Sequence, residues 1–290
     1  MTGDSRLGRS DDKWTPPGSR YKIKCRQRRG QKVRQRVTSH EARVTRLVRG
    51  VLLLLVAIPV LSIAQGRFAN GVAEVPYNGG FTFTRIRYGS NGFRRSGGAW
   101  AHDYPSADAN ISKIIQYVSL IPINVSGTNV FDLDDPEIFR HPIIYISEPG
   151  FWAMTDKEGE SLRQYLLKGG FVILDDFEAE QWYNMEEQLR RAMPEHQLIE
   201  IGPDHPIFSS FYRLDDIYVP HPYVTNKPQY FALFEDNDPK KRMLALVNYN
   251  SDLAEYWEYS DDGFLPMAVE GTTNEAYKLG VNYIYYALIH

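Results

Sequence analysis

Cysteine is almost missing from this chain: of 290 residues only Cys25 carries a thiol. Downstream of that position there can be no disulfide, no cysteine zinc site and no cysteine nucleophile. No apolar run reaches the roughly 20 residues that a membrane-spanning helix needs. The sequence also lacks a G-x-S-x-G elbow, an H-E-x-x-H helix, a Walker A loop and a G-x-G-x-x-G turn after a strand. Hydrolases of those types, metalloproteases, NTPases and dinucleotide enzymes lose their usual signatures. No repeat of fixed period is visible.

What the chain does have is a strong division of charge. Residues 1–49 hold 15 Lys/Arg against 4 Asp/Glu, whereas the remainder holds 18 against 32, so the net charge of −3 conceals a basic leader and an acidic body. The leader has no apolar period and reads as a solvated tail; a polycationic arm for nucleic acid is the weaker reading, and no nucleic-acid partner is expected. Between the two lies the run Val51–Ala64, preceded by Arg43, Arg46 and Arg49. Fourteen residues span about 21 Å as a helix, too short for the bilayer core but suited to a signal-peptide h-region. Ser62 and Ala64 supply small residues at −3 and −1, which predicts cleavage before Gln65 and export to the periplasm or beyond. Left uncleaved, residues 51–64 would tether the domain to a membrane. No cysteine stands at the cleavage point, so a lipoprotein anchor is excluded.

The body should be one domain, with residues 65–80 as a linker and structure from Phe81 onward. Phe81–Tyr88 alternates apolar and polar residues as a strand does. Ile111, Ile114, Ile115 and Val118 form a helical stripe. Short strands follow at 130–133 and 142–147. Thr155 and Glu158 make a capping box for a helix that Lys168-Gly169-Gly170 should end. Strand 171–174 and a helix over 178–193 come next. Further strands are expected at 198–201, 230–234 and 243–247, with a charged hairpin tip at 235–242 and a closing helix from about Asn274. This alternation predicts an α/β fold, a flavodoxin-like three-layer sandwich with a mainly parallel sheet and extra strands in the C-terminal third.

In open α/β sheets ligands sit outside the carboxyl ends of the strands. That rule selects three loops: 89–105 with Arg94, Arg95, Trp100, His102 and Asp103; 148–154 with Glu148, Phe151 and Trp152; and 175–181 with Asp175, Asp176 and Glu178. Paired acids at a strand end could ligate a divalent cation or share a proton, while one of them, Asp176 by position, could instead cap the next helix. Trp100, His102 and Asp103 suit sugar or peptide recognition, unless the aromatics merely pin a long loop. Arg94-Arg95 could hold an anion or be plain surface charge. His205 could serve acid–base work, although Asp204-His205-Pro206 reads more readily as a turn. Asn250, Ser251, Asp252, Glu255 and Trp257 form another polar and aromatic group, equally readable as a turn and a helix start.

Several motifs in order carry a resemblance. Arg87-Tyr88-Gly89, Trp100 with Asp103-Tyr104-Pro105, Leu133 to Phe139, Leu162 to Phe177, Asp204 to Phe208 and Tyr277 to Asn282 together resemble the bacterial family called domain of unknown function 4159, over about residues 81–290. The resemblance implies a class I glutamine amidotransferase-like fold and exported or membrane-tethered relatives. Amidotransferases place a cysteine after a central strand; here Asp175-Asp176 stands after Phe171–Leu174, so thiol-dependent glutaminase activity is not expected. The resulting expectation is a non-catalytic cell-envelope module, without a cofactor, that binds a glycan, peptide or protein through Trp100, His102, Asp103, Asp175, Asp176 and His205. An Asp-dependent hydrolase, with or without a metal, and a structural subunit of an envelope complex are the alternatives.

Overall fold

The computed structural model describes residues 74–90, 98–214, 216–260 and 270–290. The leader, the apolar run with its cleavage site, Cys25 and the Arg94-Arg95 pair lie outside the described residues. Chain contacts divide the protein into Met1–Ala64 and Gln65–His290, and every described residue belongs to the second unit.

In chain order the elements are β1 (Thr84–Arg87), β2 (Gly89–Ser90), α1 (Ser106–Val118), β3 (Asn129–Asp132), β4 (Ile143–Ser147), β5 (Trp152–Ala153), α2 (Asp156–Leu167), β6 (Phe171–Asp175), α3 (Gln181–Ala192), β7 (Ile199–Ile201), β8 (Gln229–Phe234), β9 (Met243–Tyr249), α4 (Leu253–Glu258) and α5 (Glu270–Ile289). Seven strands form one sheet in the order β3-β1-β4-β6-β9-β8-β7, and β2 pairs with β5 in a small antiparallel ribbon. The first five are mutually parallel; β8 and β7 extend the edge antiparallel. Numbered among themselves, the parallel strands run 2-1-3-4-5, so strand order reverses between β1 and β4.

Local sequence explains most of these elements. β4 and β6 are continuous apolar runs, buried at every position, as parallel strands covered on both faces must be. The α2 capping box forms: Thr155 accepts from the Glu158 amide and Glu158 reaches back to the Thr155 amide. Gly169, at φ +112°, supplies the left-handed residue that ends this helix. Gly280 allows α5 to approach α4 closely, since a Cβ there would lie 2.6 Å from the Trp257 ring.

Two apolar cores flank the sheet, giving three layers. One packs Phe83, Tyr145, Phe171 and Ile173 under α1, α4 and α5; the other packs Ile144, Ile146, Val172 and Leu174 under α2 and α3. The molecule is therefore an α/β fold with a mostly parallel sheet and antiparallel strands added from the C-terminal third. Among the described residues no helix is long and apolar enough to cross a membrane.

Candidate functional site

Three adjacent parallel strands on one side of the reversal point end in the same way. β4 is followed by Glu148 (φ +46°), β6 by Asp176 (φ +64°) and β9 by Asn250 (φ +58°), all left-handed. Asp103, in the loop after β1 and β2, shares this conformation at φ +60°. Asp and Asn tolerate it; a glutamate does so at a cost of about 1–2 kcal/mol. The chain leaves the sheet sharply at these points, and the polar side chains gather over the carboxyl edge.

The loop after β2 is held from beneath. Arg85 of β1 is fully buried; its Nη2 and Nε donate to Asp108 of α1, at 2.6 Å and 3.1 Å to Oδ1. Its Nη1 donates to the carbonyls of Trp100 (3.1 Å) and His102 (2.7 Å). The segment bearing His102 and Asp103 is thereby fixed to strand and helix at once. His102 Nδ1 lies 2.9 Å from Asp176 Oδ2, 3.4 Å from Asp103 Oδ2 and 3.5 Å from Glu148 Oε1. Ser147 Oγ donates to Asp176 Oδ2 at 3.2 Å. From the opposite side His221 Nε2 stands 3.6 Å from Asp176 Oδ1 and 3.9 Å from Asp252 Oδ2. Asp252 Oδ1 caps α4 by accepting from the Glu255 amide (2.9 Å), and the Tyr223 hydroxyl bonds Glu255.

Three overlapping groups result whose ligand atoms lie within 4.8 Å of one another: His102, Asp103, Asp252 and Glu255; His102, Glu148 and Asp176; Asp176, His221 and Asp252. Their chemistry suits a divalent cation or proton transfer. The carboxylates of Asp103 and Asp176 push the His102 imidazole up to about 12. Burial opposes the charge on Asp176, but His102 and His221 outweigh it and hold the group below the ordinary carboxylate range. Burial, then the charges of Asp176, Asp103 and Asp175, drives Asp252 well up, and burial beside Asp103 brings Glu255 to about 7. Carboxyl groups with such opposed environments, side by side, are a mark of working sites.

The family comparison agrees with the sequence motifs: residues 82–288 match the model of Domain of unknown function (DUF4159). The chain belongs to the DUF4159 family. No curated protein matches it in sequence. The cluster thus lies within the DUF4159 domain.

Of the residues singled out from sequence, Asp176, His102, Asp103 and Glu148 of the three loops and Asp252 and Glu255 of the group after them meet in this cluster. Asp176 does not cap the following helix. α3 begins only at Gln181, after Glu180, and the Asp176 carboxylate is occupied by His102 and Ser147 instead. Asp175 faces inward and is fully bonded by the Tyr145 hydroxyl (2.7 Å), Asn248 Nδ2 (2.9 Å) and the Leu253 amide (2.8 Å); burial raises it to about 6 against these bonds. Trp100 is buried, with its ring 6.0 Å from that of Tyr104. His205 stands apart at the start of a 3-10 turn, Pro206–Ser209, where it accepts from the Ile207 amide and packs against Phe234 and Tyr286. Phe234 pairs with Met243 at the start of β9, far from that strand's carboxyl end. His221, Tyr223, Arg85 and Asp108 were not singled out from sequence. An arginine inside the first alternating strand is the signal that could have found Arg85; nothing local marks His221.

Proposed function

We propose that this DUF4159 domain is a hydrolase working at the carboxyl edge of its sheet, with Asp176 as the acid–base residue between His102 and His221. The observation that carries this reading is the set of buried carboxylate oxygens, on Asp103 and Asp252, that accept no hydrogen bond. Among the described residues neither Asp103 oxygen accepts a hydrogen bond, its nearest cation being His102 at 3.4 Å, and neither does Asp252 Oδ2, although both residues are at least 96 % buried. A structural subunit gains nothing from such groups, because a buried polar atom without a hydrogen bond opposes folding. A glycan-stacking module is supported less well, since Trp100 offers a ligand little of its ring. In this reading Asp176 accepts a proton from a water between the two imidazoles and Asp252, the water oxygen bonds to the substrate centre as the bond to the leaving group breaks, and the proton passes through the neighbouring carboxyls to the leaving group.

Turnover of a panel of ester, amide, glycoside and phosphoester substrates tests the reading. The wild type should turn over one class, and Asp176→Asn should reduce kcat/KM by about 10²-fold or more with its circular dichroism unchanged. Equal rates in the variant, or an inert wild type across the panel, would contradict it.

The same reading places the domain outside the cytoplasm, on the strength of Val51–Ala64 and the acidic body that follows. N-terminal sequencing of protein recovered from the cell envelope should begin at Gln65. Recovery of intact leader from a cytosolic fraction would contradict export.

A further inference from the structure

The charges in the cluster do not balance. Five carboxylates, those of Asp103, Glu148, Asp176, Asp252 and Glu255, meet two imidazoles, His102 and His221, and the buried guanidinium of Arg85 is already committed to Asp108. Buried carboxylates in such excess call for a compact positive charge. The position for it is marked by the oxygens without hydrogen-bond partners: both of Asp103 and Oδ2 of Asp252, on side chains that solvent does not reach. Asp103 and Asp252 belong to the one group of four among the described residues, in which a ligand atom from each of His102, Asp103, Asp252 and Glu255 falls within 4.8 Å of the other three. Ligands of a four-coordinate ion lie about 3.3 Å apart for bonds of about 2.0–2.1 Å, so small side-chain movements close the set.

We infer that His102, Asp103, Asp252 and Glu255 bind one divalent first-row transition-metal ion, with Asp176 and His221 at its border. A nitrogen ligand among carboxylates suits Zn²⁺ or Mn²⁺ and is foreign to the all-oxygen preference of Mg²⁺ and Ca²⁺. The supports that orient metal ligands are also present. Arg85 holds the backbone of His102, the Tyr223 hydroxyl holds Glu255, and Asp252 is fixed through the other oxygen by its capping bond. An ion here would face Asp176 across the space where the hydrolytic water is placed, and would lower the pKa of that water. The inference rests on the reading of the cluster as the working site, but binding is measured without turnover.

The test is titration calorimetry of the chelator-stripped full chain with ZnCl₂ and with MnCl₂, repeated on Asp252→Asn, Asp103→Asn and, as a control outside the cluster, His205→Gln. The wild type should take up one equivalent that each cluster variant weakens at least about tenfold, and His205→Gln should match the wild type. The same comparison separates this site from any binding by Cys25 or His40 in the leader. Absence of binding by both ions below about 100 µM, or wild-type binding in both cluster variants, overturns the site. Metal uptake by a protein inert on every substrate class would leave the ion standing and the hydrolase reading refuted; turnover lost in Asp176→Asn without any metal uptake would do the reverse.

Discussion

Asp175 and Asp176 are neighbours in sequence with opposite fates. Asp175 completes β6, points into the core and accepts three hydrogen bonds, one from the first amide of α4. Asp176 has left the strand in a left-handed turn and faces two imidazoles. Their substitutions should therefore separate. Asp175→Ala strands a tyrosine hydroxyl, an asparagine amide and a helix N-terminus, and should lower stability by about 2–4 kcal/mol in denaturant unfolding. Asp176→Asn gives up the charge that faces the imidazoles but keeps a group that fits αL, so it should lower kcat/KM by about 10²-fold or more while the variant still folds, as read by circular dichroism. Sequence alone marked the pair, since acids after a buried strand fall at a ligand-binding edge. Which of the two serves the ligand depended on the turn at Asp176, and no local pattern specifies a φ of +64° for an aspartate.

At the scale of elements, two polar braces set the positions of loops that carry no periodic pattern. Arg85, on a strand, and Asp108, on a helix, fix the segment from Trp100 to His102 between them. Arg85→Met leaves Asp108 charged and buried alone, and thermal unfolding should show a loss of about 3–5 kcal/mol. Asn282 of α5 does similar work for the chain after β7. It donates to the carbonyls of Phe208 and Tyr212 and accepts from the amides of Phe211 and Tyr212. Asn282→Ala should cost about 2–4 kcal/mol, with hydrogen exchange quickening first in residues 206–214. Elements with a local cause were legible: the α2 capping box, its glycine stop, and the apolar runs of β4 and β6. His221 was not. Its place follows from bonds between distant segments, its own amide to the Asn250 carbonyl, Ser251 Oγ to Val219, and the Tyr256 hydroxyl to Pro220.

Across the whole molecule, alternation of strands and helices was enough to give a mostly parallel α/β sheet, because parallel neighbours need crossovers that put helices on both faces. It was also enough to select the loops over the carboxyl edge. The gathering of seven ionisable side chains there needed the strand order, in which β1, β4, β6 and β9 lie side by side although Thr84 and Met243, where the first and last of them start, are 159 positions apart. A fold that brings these carboxyl groups together and leaves oxygens of Asp103 and Asp252 without a hydrogen bond among the described residues is less stable than it need be, and function explains the cost. The measurement that bears on this most directly is the thermal unfolding midpoint of metal-stripped Asp252→Asn against the wild type. Asparagine keeps the α4 cap and removes an acid that burial and the neighbouring carboxylates disfavour, so stability should rise by about 1–2 kcal/mol, a shift of roughly 2–8 °C for a domain of this size. A midpoint lowered by several degrees would show that the Asp252 carboxylate is there to hold the fold together, and would contradict the assignment of this cluster as a working site.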